Sequence, residues 1–351
     1  MRGKLPATKA AWVIVALCLA LALAGCGGEQ SALEPRSEPA RRIETLWWVM
    51  FWIAFAVFAG AIGLLGLAWL RRDRGGLPLV GRLGFDPEGP GSKQERLTTG
   101  LVVALGIVVP ATVLIGTFVY ANVFVIEDTD APDPATTPLK IEVRGNQWWW
   151  EIRYPNTPNA ITANELHIPA RTRINLLGES DDVIHSFWVP QLNRKIDLFP
   201  GRRNRVLLYA DRPGRYRGQC AEFCGDQHAR MALRVYAHEP AEFQRYLRAI
   251  SRPRPVPDTP AERLGERVFL ANQCAGCHTI RGTRARGEIG PDLTHLQMRE
   301  TLAALTIPNT KGHLAGWVLD PQRVKPGAKM PALGLSGPES QALLAYLESL
   351  H

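Results

Sequence analysis

Three apolar runs open the chain, and from residue 139 onward short alternating segments replace them. The first run, Ala10 to Ala24, follows a basic start and is too short to span a bilayer. The next two, Leu46 to Leu70 and Leu101 to Ile126, are each long enough to cross a hydrocarbon core of roughly 30 Å, so two transmembrane α-helices are predicted. Trp47, Trp48 and Trp69 lie near the ends of the first, where amphipathic rings favour the interface. Between Leu139 and Tyr236 apolar and polar positions alternate in short stretches, among them 140–144, 148–154, 165–168, 173–176, 205–209 and 232–236. Breaks fall at Pro155, Pro158, Pro169, Pro190, Pro200 and Pro213. Short strands at this spacing predict an all-β domain, and its length suits a Greek-key β-sandwich. A helix is expected over 239–250, and Ser251 to Pro260 forms an extended proline-rich linker. Beyond it, helical patterns at 261–272 and 339–350 with Gly- and Pro-rich loops between them predict a small, mostly α domain.

Charge sets the orientation. The chain is 351 residues long with net charge +8, and 46% of it is hydrophobic, a balance that fits a multidomain membrane protein with exported parts. Arg71, Arg72, Arg74, Arg82, Lys93 and Arg96 cluster between the two spans, whereas the segment after the second span begins Glu127-Asp-Thr-Asp130 and has no base before Lys140. The positive-inside rule therefore puts the loop in the cytoplasm and everything after about residue 127 outside. No basic stripe interleaved with aromatics is present, which argues against a nucleic-acid partner. Residues 1–25 read as a signal peptide, and Leu23-Ala-Gly-Cys26 is similar to the bacterial lipobox, in which the cysteine is lipidated and becomes the mature terminus. The expected organisation is signal peptide 1–25, two-helix transmembrane region 26–126, β-sandwich 127–250, linker 251–260 and helical domain 261–351.

Cysteine usage carries the chemistry. Cys18 lies in the signal and Cys26 in the lipobox, leaving two spaced pairs, Cys220/Cys224 and Cys274/Cys277. A disulfide is the default for paired cysteines outside the cell, but each pair here has a nearby His and Met that a disulfide does not need. The stretch Cys220 to Met231 reads C-A-E-F-C-G-D-Q-H-A-R-M, with a further imidazole at His185. Thiolate, thioether and imidazole are a donor set for copper rather than for calcium or magnesium. Cys274-Ala-Gly-Cys277-His278 is C-x-x-C-H, the attachment motif of c-type haem, in which the histidine ligates iron. A methionine opposite it suits an electron-transfer haem, and Met298 and Met330 are the candidates, with His295 as a further possible ligand.

Both motifs resemble known families. Lys325-Pro-Gly-Ala-Lys-Met330-Pro331 is similar to the axial-ligand loop of class I cytochromes c, which selects Met330, and Gly290-Pro-Asp-Leu293 resembles the segment packed on the histidine side. His185 together with Cys220, Glu222, Cys224, His228 and Met231 resembles the CuA site of cytochrome c oxidase subunit II. The resemblance implies a cupredoxin-like sandwich holding dinuclear copper. Cys220 and Cys224 bridge, His185 and His228 each bind one metal, Met231 is a weak ligand and Glu222 ligates through its carbonyl. It also implies that Trp148, in Gly145-Asn-Gln-Trp148, passes electrons into copper, while Trp149 and Trp150 read as core. The Glu222 side chain would share a magnesium ion with subunit I. Aligning on Pro110 puts Val103 where members often carry an acidic residue linked with proton uptake. His167, His238, His313 and His351 have no partner pattern and read as surface or packing residues.

The whole chain thus resembles subunit II of an oxidase with a fused C-terminal cytochrome c, of the caa type. The implied function is to relay electrons from covalent haem c through CuA to subunit I, where oxygen is reduced to water. Implied partners are subunit I, the other subunits and the membrane, with a cytochrome bc complex or small cytochrome c as donor. The implied location is the bacterial cell membrane, multi-pass, with the metal domains on the outer face. A nitric oxide reductase subunit with the same copper motif, or a membrane-tethered electron carrier, remain alternatives.

Overall fold

A computed structural model describes residues 28–71, 92–133, 135–137 and 139–351. The signal, Cys26 and most of the basic loop between the spans lie outside the described residues. Helix α1 (Glu38–Arg71) contains the first apolar run. A second helical run comprises α2 (Ser92–Val103), α3 (Val109–Tyr120) and α4 (Glu127–Thr129), joined by π-helical turns at Ala104–Val108 and Ala121–Ile126. Over Glu38–Leu67 and Thr99–Thr129 the mean hydropathy reaches 2.2 and 2.5. Leu64, Leu65, Ile115 and Phe118 are exposed, as side chains must be where lipid is the solvent.

The chain divides into two units, one of residues 42–128 and one combining residues up to 41 with 129–351. In the second unit ten strands form two sheets. They are β1 (Leu139–Asn146), β2 (Trp149–Arg153), β3 (Ile161–Ala163), β4 (Glu165–Pro169), β5 (Ile174–Ser180), β6 (His185–Trp188), β7 (Ile196–Leu198), β8 (Asn204–Leu208), β9 (Gly214–Cys220) and β10 (Ala232–His238). One sheet runs β3-β2-β1-β5-β8 and the other β4-β10-β9-β6-β7. The β1–β5 and β4–β10 pairs are parallel and the rest antiparallel. Alternation in β1 buries Ile141 and Val143 while Lys140 and Glu142 stay half-buried. Four strands, β3, β6, β7 and β9, are absent from the segments predicted; β3, β6 and β7 are short and lack clean alternation, whereas β9 alternates, burying Tyr216, Gly218 and Cys220. The interior is filled by Trp150, Tyr154, Leu166, Leu176 and Leu233, with Phe243 and Leu247 packed on from α5 (Pro240–Ile250). Residues 28–41 lie along this sandwich: Arg36 N–H donates to the Gln191 carbonyl at 2.8 Å and Ser37 Oγ to that of Leu192.

A separate core belongs to the C-terminal module. Helix α6 (Pro260–Ala271) starts in a capping box between Thr259 and Glu262, and α10 (Gly337–Glu348) in one between Ser336 and Glu339. They pack with Phe269 edge-on to Tyr346 at 6.1 Å. Between them come α7 (Cys274–Cys277), the short pair β11 (Thr301–Leu302) and β12 (Ile307–Pro308), α8 (Lys311–Leu319) and α9 (Pro321–Val324). Leu296, Leu314, Leu343 and Leu347 complete this core.

Candidate functional site

Two donor sets occupy this unit. In the sandwich, β9 ends at Cys220 and β10 begins after Met231, and Cys220 N–H donates to the Met231 carbonyl at 2.9 Å. The intervening residues thus form a loop closed at its base by the two strands, and the cysteines, His228 and Met231 lie together because the chain turns back on itself. His185 arrives from β6 through the Phe187–Cys220 register. Ligand atoms of His185, Cys220 and Cys224 lie within 4.8 Å of one another. Cys220 Sγ is 3.8 Å from His185 Nδ1, and Cys224 Sγ is 3.7 Å from His228 Nδ1 and 3.8 Å from Met231 Sδ. The Glu222 carbonyl sits 3.1 Å from Cys220 Sγ while its side chain is exposed. Donors bound near 2.0–2.3 Å on one tetrahedral ion stand roughly 3.5 Å apart, so this spacing fits a soft metal. All four described cysteines are free thiols.

Asp182, to which the sequence assigned no role, orients His185. Its Oδ1 takes His185 Nε2 at 2.8 Å, leaving Nδ1 for the sulfur side. Burial would raise the Asp182 carboxyl, but bonds from His185 and from the Gln147 and Val183 N–H groups outweigh it and hold it at about 2. Burial lowers His185, and Asp182 with Cys220 more than offset this, leaving it raised. The available signal was D-x-x-H, too common to be read alone.

In the C-terminal module a cavity partly open to solvent is lined by Cys274, Cys277, His278 and Met330 among apolar side chains. That combination suits a large apolar macrocycle held by two thiols. His278 Nδ1 lies 2.8 Å from the Pro291 carbonyl, which fixes the tautomer and leaves Nε2 as the donor atom. Burial lowers His278, keeping it neutral and able to ligate. Met298 does not line this cavity and packs against the sandwich core. Both ring nitrogens of His295 face carbonyls, of His351 at 2.6 Å and of Arg252 at 3.0 Å. Gln322 organises the methionine loop: its amide donates to Ala328 and Met330 carbonyls and accepts from Gly327 N–H, all at 2.8–2.9 Å.

The two sets meet at the β1–β2 turn. Trp148 and Trp149, both sandwich residues, line the cavity of the C-terminal module. Trp148 Nε1 donates to the Cys224 carbonyl at 2.9 Å, and Gln147 Nε2 to the same oxygen at 2.8 Å. Trp150 is fully buried core, whereas Trp149, also expected to be core, is buried against the cavity instead. Lys325 lies beside them, nearly inaccessible, and burial pulls its ammonium down to about 7 although Cys224 acts the other way.

One expectation needs correction. His167 and His238 do have partners: His167 Nδ1 lies 2.8 Å from His238 Nε2, and His167 stacks between Tyr236 and Tyr246. The residues are far apart in sequence and meet only because β4 pairs with β10.

Both modules resemble known proteins. Residues 158–238 match the family described as Cytochrome C oxidase subunit II, periplasmic domain, and residues 263–351 match Cytochrome c. Cytochrome c oxidase subunit 2 of Alkalihalophilus pseudofirmus is 33% identical over 95% of this chain and 94% of its own length. The subunit 2 of Bacillus subtilis is 28% identical over 96% and 97% respectively. The solved periplasmic domain of subunit II of cytochrome oxidase of Bradyrhizobium japonicum is 30% identical over 34% of this chain and 96% of its own, with a TM-score of 0.33.

Proposed function

From the premise that this chain belongs to the cytochrome c oxidase subunit II family, with a cytochrome c domain fused behind it, we propose that its two donor sets work as one relay. The function of the family is electron transfer in a terminal oxidase, and copper and covalent haem, when bound, supply the one-electron chemistry. Cys220, Cys224, His185 and His228 through Nδ1, Met231 and the Glu222 carbonyl would hold a dinuclear copper centre. Cys274 and Cys277 would tether the haem, and His278 Nε2 and Met330 Sδ would ligate its iron. With both His278 and Met330 committed to the iron, no position would be left open for substrate, and the reaction would belong to the complex.

Trp148 carries the reading: one indole forms part of the haem cavity wall and hydrogen-bonds the carbonyl of a copper cysteine. Asp182 holds the imidazole on the copper side, and the buried surroundings of Cys220, Cys224 and Met231 exclude water. The exposed Glu222 carboxylate is free to take up a magnesium ion with subunit I, since hard oxygen ligands are what that ion requires. The relatives' names favour oxygen over nitric oxide as the acceptor. The chain sits in the bacterial cell membrane with both metal domains outside and takes electrons from a cytochrome bc complex or small cytochrome c. Metal analysis of the full chain, matured with both cofactors, tests this: two coppers per covalent haem are expected. Cys220→Ser with Cys224→Ser should remove the copper and leave the haem. One copper per haem, or copper that survives the double substitution, would sink the proposal.

A further inference from the structure

A buried cation joins the two modules. Lys325 follows α9 in the loop that carries Met330 and is 3% exposed. Its Nζ meets three carbonyls from three segments: Trp148 at 2.8 Å in the β1–β2 turn, Arg230 at 2.9 Å in the copper loop and Ala303 at 3.4 Å in its own module. An ammonium has three N–H donors and no acceptor, so these carbonyls use it fully. Around it, Arg230 Nη1 donates to the Val324 carbonyl at 2.5 Å, Gln227 Nε2 donates to that of Pro326, and Lys329 Nζ lies 3.4 Å from Asp182 Oδ2. Lys329, by contrast, is exposed.

A cytochrome module has no need of a buried cation to hold its own haem, and burying one is costly unless every N–H is partnered. Two of the three partners here belong to the sandwich. Both lie next to the relay: Trp148 is the shared wall residue, and Arg230 precedes Met231. We propose that Lys325 is a positioning residue whose bonds to the Trp148 and Arg230 carbonyls seat the haem cavity on Trp148, so that transfer proceeds from one seated arrangement and not from repeated encounters of a tethered module. This rests on the relay reading above. Trp148 is only 9% exposed in this arrangement, so an outside donor reduces the haem and has no direct access to copper through that ring.

The test uses the full chain with both cofactors, photoreducing the haem by flash and following the copper absorbance in buffers of increasing viscosity. In the unmutated chain the rate should not depend on viscosity. In Lys325→Met it should fall by about tenfold or more, because misplacement of reacting partners is costly. It should also become viscosity-dependent, with both optical spectra and both midpoint potentials unchanged. Lys325→Arg, which keeps a cation, should recover part of the rate. Lys311→Met, at an exposed lysine on α8, should behave as the unmutated chain. A Lys325→Met rate that matches the unmutated chain, or that stays independent of viscosity, overturns the positioning role alone. Absence of any haem-to-copper transfer in the unmutated chain overturns the relay itself. Should Lys325→Met fail to fold, amine labelling of the unmutated chain decides: Lys325 must stay unlabelled while Lys329 and Lys311 react, and labelling at the Lys329 rate overturns the proposal.

Discussion

Gly145 shows how narrow the tolerances are around a single proposed copper donor, His185. A Cβ at this position would meet His185 Cδ2 at 2.6 Å and Cγ at 2.9 Å, so the ring lies directly on the β1 backbone. Gly145→Ala must therefore displace the imidazole or the strand. Overpacking of this kind costs about 1–3 kcal/mol, and the expected result is a folded chain with reduced copper occupancy and normal haem content, read by metal analysis and the optical spectrum. Gly290 plays the same part for His278, the proposed haem ligand, where a Cβ would lie 2.4 Å from Cε1. The proposed donors could be picked out in the sequence because soft ligands at these spacings have few other uses. Asp182 and Lys325 were not, because a carboxylate or a lysine is common and only its distances give it meaning.

Among elements, the informative junction is where β4, β10 and α5 meet. His167 on β4 stacks on Tyr246 of α5 with centroids 3.6 Å apart, and its Nδ1 faces His238 of β10. Burial, with His238 adding to it, keeps His167 well below its ordinary 6.5, and burial also lowers His238, with Glu242 acting upward. Two imidazoles sharing one hydrogen bond accommodate a single proton between their facing nitrogens. Because the folded values lie below the unfolded one, the unfolded chain binds more protons in that interval. Stability from this junction is fully present above pH 6.5 and is lost as pH falls below it. The thermal midpoint of the full chain should drop between pH 7 and 5, and His167→Gln should flatten that dependence; an unchanged slope would refute the assignment. Strands were legible where alternation was clean, as in β1, and not in β6 and β7, whose few residues are placed by pairing with neighbours.

For the molecule as a whole, the decisive feature is the contact between the sandwich and the C-terminal module. Glu165, on β4, is a buried carboxylate that accepts from the N–H groups of Glu300 and Thr301 and from Thr301 Oγ1, at 3.0, 2.8 and 2.6 Å. Glu165→Ala leaves those donors unpartnered, at a cost of about 1–3 kcal/mol for a buried group. Faster hydrogen exchange at Glu300 and Thr301 is expected, with both metal contents intact; unaltered exchange would show that the contact is held by other groups. The sequence by itself determined the class of each part: two apolar spans, because a bilayer needs runs of that length, and a sandwich, because alternation has period two; it also singled out two candidate donor sets, because soft donors at short spacing have little other use. Tertiary structure alone decided that Trp148 serves both sets, that Asp182 rather than solvent orients His185, and that Lys325 is buried. Those facts depend on contacts between residues up to 177 positions apart, and no local pattern encodes a contact at that separation.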